Sequence, residues 1–168
     1  MTLEKEFSAV FTPVGDGDKM ISIDKGMFSD KIGNLNQQKV AFDWYFDLTP
    51  PMMGEVSEGF GEDRDWVGLT LPVRWTGFTD RSGIADYELS LGTVPGSDNF
   101  KPWFSVGTDS SYIFNQLELE ENTQYYTNVR ATDMHGNLSR TAVSDGFKVD
   151  FVPPEIVSVS VDKDMTFR

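Results

Sequence analysis

Apolar and polar residues alternate with a period of two along most of the chain. Tyr125, Thr127, Val129 and Ala131 would face one way, and Tyr126, Asn128 and Arg130 the other. That is the pattern of a strand with one buried face. Leu69, Leu71, Val73 and Trp75 alternate in the same way, as do Tyr87, Leu89 and Leu91. Further strands are expected over 52–58, 103–106, 112–114 and 141–149, separated by Gly, Asn and Asp turn signals. A glycine- and acid-rich loop fills 59–65, and no segment reads as a long amphipathic helix. Pro72 interrupts its strand by removing a ladder donor, which predicts a local edge or bulge there. The expected class is all-β.

Ahead of residue 47 the pattern continues in shorter pieces. Phe7, Ala9 and Phe11 alternate, as do Ile21 and Ile23, and Val40, Phe42, Trp44 and Phe46 do so over a longer run. Each run is then closed by a junction: Phe46-Asp47-Leu-Thr-Pro50-Pro51 after the first part, and Val149-Asp150-Phe-Val-Pro153-Pro154 after the second. Paired prolines remove two amide donors and hold the backbone extended, which suits the end of a strand and a stiff passage onward. Pro50 and Pro153 stand 103 residues apart, and one β-sandwich takes roughly 100 residues. The chain therefore reads as a slice through a tandem array: 1–47 a partial sandwich module, 48–152 a complete sandwich, and 153–168 the first strand of a following module. Too few strands precede residue 47 for a whole sandwich. They would be completed by upstream chain or donated by another copy, as in strand complementation.

The segment Leu119-Glu-Glu-Asn-Thr-Gln-Tyr125 leads from a leucine through a short polar turn into an alternating strand. It resembles the sandwich corner of fibronectin type III modules, in which the tyrosine hydroxyl bonds to backbone upstream. The likeness extends to the tryptophan Trp75 on its alternating strand, and to Trp75-Thr-Gly-Phe78, Asp80-Arg-Ser-Gly83-Ile84, Leu91-Gly-Thr-Val-Pro-Gly96 and Val129-Arg-Ala-Thr-Asp133. Leu119, Trp75 and Tyr125 are thereby the expected structural residues. Residues 11–18 and 29–36 resemble the C-terminal half of a bacterial Ig-like repeat. The resemblance implies tandem modules of large secreted or surface proteins, and an extracellular or cell-surface location.

Charge narrows the set of partners. With 27 acidic against 14 basic residues the formal charge is −13, so nucleic acid would be repelled and cations or basic surfaces favoured. No run is long enough to span a bilayer as a helix. The absence of cysteine excludes disulfides and thiolate metal sites. Met1-Thr-Leu-Glu-Lys-Glu lacks the basic start and apolar core of a signal peptide, so a secreted parent would make this an excised or processed piece.

Catalysis finds little purchase in the sequence. The single histidine, His135, lies in the turn-like run Asp133-Met-His-Gly136-Asn137, and loop carboxylates such as Asp63 and Asp65 have no apolar pocket to raise a pKa. The chain is expected not to be an enzyme. Calcium is the better chemical candidate, because hard cations want several oxygen ligands. Candidate ligands are Asp16 and Asp18 with the turn at Asp30 and Asn34, then Glu62, Asp63 and Asp65, and the junction acids Asp47 and Asp150, with an ion at a joint between modules as the favoured arrangement. No other cofactor is implied. Phe60, Trp66, Phe100 and Trp103 suit either packing or stacking on a sugar ring. Asn137-Leu-Ser139 matches the N-glycosylation acceptor pattern.

Together these observations predict a non-catalytic structural or adhesive segment of a stalk, filament or adhesin. Its partners would be neighbouring modules, copies of itself, or a cell-surface protein or carbohydrate. The alternative is an accessory module of a secreted polysaccharide-active enzyme.

Overall fold

A computed structural model describes residues 10–152 and 155. The elements in order are β1 (Gly17–Ile23), β2 (Val40–Phe46), β3 (Glu55–Glu58), β4 (Trp66–Val67), β5 (Thr70–Thr76), β6 (Ile84–Gly92), β7 (Lys101–Ser105), β8 (Ser111–Asn115), β9 (Tyr126–Asp133), β10 (Ala142–Val143) and β11 (Lys148–Val149). Among the described residues there is no helix. Two of the expected strands are touched by the limits of this range: Phe7 and Ala9 lie outside it, as does nearly all of 153–168.

The middle of the chain is two sheets packed face to face. One has the order β3-β5-β8 and the other β10-β9-β6-β7, with all pairs antiparallel. Alternation decides which side chains meet between them. Leu71, Val73 and Trp75 point inward from β5, Leu89 and Leu91 from β6, Val129 and Ala131 from β9, and Phe114 from β8, all buried. Each such side chain contributes about 1.5–3 kcal/mol of hydrophobic stabilisation relative to exposure. Parallel β4 and β11 add a short two-stranded ribbon that buries Val67 and Val149 in the same core.

The corner before β9 is pinned by Tyr125. Its buried ring stacks on Phe147 at 5.8 Å and meets Phe100 edge-on at 5.0 Å. Its hydroxyl accepts the Glu120 N–H at 3.0 Å, and Leu119 packs half-buried against the core. Trp75 is buried beside Tyr87, with ring centroids 5.6 Å apart.

Local differences from the sequence expectation have physical causes. Leu69 precedes β5 and is 81% exposed, so the buried alternation starts at Leu71. The expected strand over 141–149 is split into β10 and β11, because Gly146 takes a left-handed φ of 95°. A side chain there would also meet the Gln124 amide at 2.4 Å and the Tyr125 carbonyl at 2.8 Å. Pro72 lies inside β5, opposite Ile113 of β8. Its carbonyl accepts the Gly59 N–H at 2.7 Å, so its donor-less nitrogen faces the β3 side, just past the last β3 pair, Glu58 with Val73. The proline thus occupies a local edge, where no ladder bond is lost.

Before the sandwich, β1 and β2 form an antiparallel hairpin in which Ile21 opposes Phe42 and Ile23 opposes Val40. One face gathers Ile21, Ile23, Val40, Phe42 and Trp44, with Phe42 and Trp44 5.6 Å apart and Phe11 edge-on to Trp44. Phe42 and Val40 on that face are exposed. The opposite face carries Tyr45, which packs against the sandwich. Its ring lies 5.9 Å from that of His135, and the Arg81 guanidinium sits 4.6 Å from its centroid.

Candidate metal centre at the joint

Three acids from three distant parts of the chain converge where the hairpin meets the sandwich. Asp47 follows β2, Asp80 lies between β5 and β6, and Asp133 ends β9. One carboxylate oxygen from each lies within 4.8 Å of one from each of the others.

Every one of the three is oriented by its own turn. Asp47 Oδ1 accepts the Thr49 N–H at 3.0 Å. Asp80 Oδ1 accepts the Ser82 N–H and hydroxyl, both at 2.7 Å. Asp133 Oδ1 accepts the N–H groups of His135 at 2.8 Å and Asn137 at 2.9 Å, while its Oδ2 accepts the Asn137 side-chain amide at 2.8 Å. Asp residues bond their own backbone two positions on more readily than most, and the turn sequences Asp47-Leu-Thr, Asp80-Arg-Ser and Asp133-Met-His exploit this. For Asp133, burial is the largest influence and opposes ionisation. The bonds from the Asn137 side chain and from the Asn137, His135 and Gly136 backbones outweigh it and hold this carboxyl below the usual range.

The decisive atom is Asp47 Oδ2. The Asp47 side chain is only 2% exposed, yet this oxygen has no hydrogen-bond partner. The nearest cationic group, His135 Nδ1, stands 3.7 Å away. That is beyond hydrogen-bond reach, and it is an ion pair only when the imidazole is protonated. A buried carboxylate oxygen without a donor costs several kcal/mol of lost hydration unless a positive charge meets it. Three carboxylates facing one point, with hard oxygen donors and a single imidazole at the margin, match a calcium-type cation better than a softer metal.

The sequence candidates divide sharply. Asp47 lies in this cluster, and Asp63 lies in a second one with Glu58 and Asp145. Asp16 instead accepts the Leu48 N–H at 2.9 Å and the Thr49 hydroxyl, tying β1 to the linker. Asp18 is exposed in β1 opposite Tyr45, and the Asp65 carbonyl accepts the Lys148 N–H at 2.8 Å. Asp150 repeats the Asp47 turn, its Oδ1 accepting the N–H two residues on, from Val152, at 2.8 Å. It does so at the other end of β9, where Phe151 N–H bonds Glu121 in the Tyr125 corner. The two junction motifs thus sit at opposite ends of one sandwich.

Asp80, Asp133, Glu58 and Asp145 were not singled out by sequence. The signal lay in Asp80-Arg-Ser-Gly83, which carries only a family resemblance, and in Asp133-Met-His-Gly136-Asn137, which reads as a turn. Asn137 spends its side-chain amide on Asp133 and on the Asp47 carbonyl, so a sugar on that nitrogen would displace one of the two N–H groups. Of the aromatic residues weighed for sugar stacking, Phe100 packs on Tyr125 and Trp103 lies 4.2 Å beneath the Arg130 guanidinium. Phe60 and Trp66 are exposed.

No family model and no curated protein matches the sequence. Among solved structures, chitinase ChiA74 from Bacillus thuringiensis is 24% identical with a TM-score of 0.44, the match covering 62% of this chain and 14% of the chitinase. Titin module A71 from human cardiac muscle is 17% identical with a TM-score of 0.38, covering 61% of this chain and 92% of that one. An Fn3-like protein from Clostridium thermocellum is 15% identical with a TM-score of 0.32, covering 62% and 95%. In strand order, corner tyrosine and core tryptophan, the middle of this chain is a two-sheet β-sandwich similar in fold to fibronectin type III modules. The module occupies the sandwich from β3 to β11, and the hairpin joins it through Asp47.

Proposed function

We propose that the chain is a non-catalytic spacer segment of a multi-module extracellular protein, and that a divalent cation, calcium by its donor chemistry, stiffens the joint between the hairpin and the fibronectin type III-like module. The single observation that carries this reading is the buried, partnerless Oδ2 of Asp47, on a carboxylate that clusters with those of Asp80 and Asp133. Junction turns at opposite ends of the module support a linear array, since chain enters beside Asp47 and leaves beside Asp150. Ladders of strand hydrogen bonds around one core fix the length of each module. The joint fixes the angle between them. An extracellular setting supplies calcium at concentrations that sites of modest affinity need.

Small-angle scattering of the full chain, with calcium and then with chelator, tests the role. The distribution of particle lengths is expected to narrow with calcium in the native chain and to stay broad in Asp47→Asn and Asp80→Asn. Identical scattering in both conditions would overturn the joint-stiffening reading.

A further inference from the structure

Glu58 closes β3 with a side chain that is 0% exposed. Its Oε1 accepts the Thr127 hydroxyl at 2.6 Å across the gap between the two sheets, and its Oε2 has no partner. Two further carboxylates converge on it. Asp63, in the loop after β3, uses Oδ1 to accept the Glu58 N–H at 3.0 Å, and Asp145 comes from the loop between β10 and β11. One oxygen from each of the three lies within 4.8 Å of one from each of the others. Among the described residues no lysine or arginine forms an ion pair with any of them.

Three clustered carboxylates, one of them with a buried, donor-less oxygen, repel one another, and the repulsion is relieved by a proton or by a cation. Oxygens on opposite sides of a bound calcium stand about 4.8 Å apart, twice its ~2.4 Å coordination distance, so all three carboxylates are close enough to reach one ion. Burial is the largest influence on Glu58 and raises its pKa, against the Thr127 and Ser144 hydroxyls, and Asp63 raises it further. Asp145 is likewise raised, first by partial desolvation of its carboxyl, although the residue as a whole is exposed, and then by Asp63. Both shifts are led by desolvation, and the charge of Asp63 adds to each.

We infer that Glu58, Asp63 and Asp145 form a second calcium site, separate from the joint, which clips the β3 edge of one sheet to the β10–β11 loop of the other. Thr127 and Asp133 are six residues apart on β9, so the two sites are about 20 Å from each other at ~3.3 Å per strand residue. They bind independently. The clip acts within the module: it holds the open side of the sandwich shut and raises the module's resistance to unfolding without changing the joint.

The test is calorimetric calcium titration and thermal unfolding of the full native chain beside Asp145→Asn, Asp63→Asn and Asp80→Asn. Asp63 and Asp145 are exposed, so these variants fold where Glu58→Gln could fail to. The native chain is expected to bind two equivalents. Asp145→Asn and Asp63→Asn should bind one and lose part of the calcium-dependent rise in Tm, while Asp80→Asn keeps the equivalent that they lose. A native chain binding one equivalent that disappears in Asp145→Asn would support this site and count against the joint site. Stoichiometry and Tm rise unchanged in both Asp145→Asn and Asp63→Asn, or no binding by the native chain at millimolar calcium, would overturn it.

Discussion

Asn137 donates its side-chain N–H to the main-chain carbonyl of Asp47, a residue 90 positions earlier in the chain, at 3.2 Å. The same nitrogen donates to Asp133 Oδ2. One amide therefore ties the linker that leaves the hairpin to the turn that ends β9, and holds two of the three joint acids in register. Around it, Tyr45 meets the His135 ring edge-on and carries the Arg81 guanidinium over its own ring, so the joint combines a polar clamp with aromatic packing.

Asn137→Ala removes both bonds, and one of them is to a charged acceptor. Hydrogen bonds to charged groups contribute about 1.5–3 kcal/mol, and this side chain is half-buried. The variant should lose about 1–3 kcal/mol in urea unfolding, with faster amide exchange at Leu48 and Thr49. Unchanged exchange at those two amides would show that the clamp does not hold the linker.

The corner bond can be isolated with a single atom. Tyr125→Phe keeps the ring on Phe100 and Phe147 but leaves the Glu120 N–H without its acceptor. A neutral hydrogen bond contributes roughly 0.5–1.5 kcal/mol, so a loss of about 1 kcal/mol is expected, while Tyr125→Ala should cost about 3–5 kcal/mol through the cavity it opens. Equal losses in the two variants would assign no separate weight to the hydroxyl.

Period-two alternation made the sheets legible, because a half-buried strand must place every second residue in the core. Leu71, Val73, Trp75, Leu89, Leu91, Val129 and Ala131 are buried as that rule requires. The corner was legible because a leucine, a polar turn and a tyrosine recur at a fixed spacing around one hydrogen bond. The acidic clusters were not. Asp47, Asp80 and Asp133 are brought together by pairing between strands distant in sequence, and a short Asp-containing turn looks the same whether its second oxygen faces water or another carboxylate. Asp16 shows the converse: grouped with Asp18 by proximity in the chain, it serves as an acceptor for Leu48 and Thr49. Glu58 was hidden for a different reason. A glutamate at the end of a strand is ordinarily solvated, and its burial depends on Thr127 of the facing sheet.

Close backbone approach makes Gly54 irreplaceable. A Cβ there would stand 2.1 Å from the Thr76 carbonyl and 2.5 Å from the Phe78 ring, at the start of the β3–β5 pairing. Gly54→Ala must push the two strands apart, and overpacking of this kind costs typically about 1–3 kcal/mol. Gly61→Ala is the control, since a Cβ at Gly61 meets nothing within 4 Å. Thermal unfolding should separate the two by several degrees; matching Tm values would mean that the strand start shifts freely.

Acid should release the hairpin from the linker through Asp16. The Thr49 hydroxyl and then the Leu48 N–H favour its ionised form, so its carboxyl lies below its ordinary value of 3.8. A carboxyl with a lowered folded-state pKa contributes stability that is fully present above the unfolded value and is lost as pH falls through the folded one. The tie should therefore hold at neutral pH and fail only below 3.8, the ordinary carboxyl value. The Leu48 amide proton reports it directly by NMR, because its hydrogen bond weakens when Asp16 takes up a proton. Its chemical shift should titrate with a midpoint below 3.8 and lose that transition in Asp16→Asn. A midpoint at or above the ordinary value would mean that the carboxylate is not held by these donors in solution, and that β1 is not anchored to the linker through this residue.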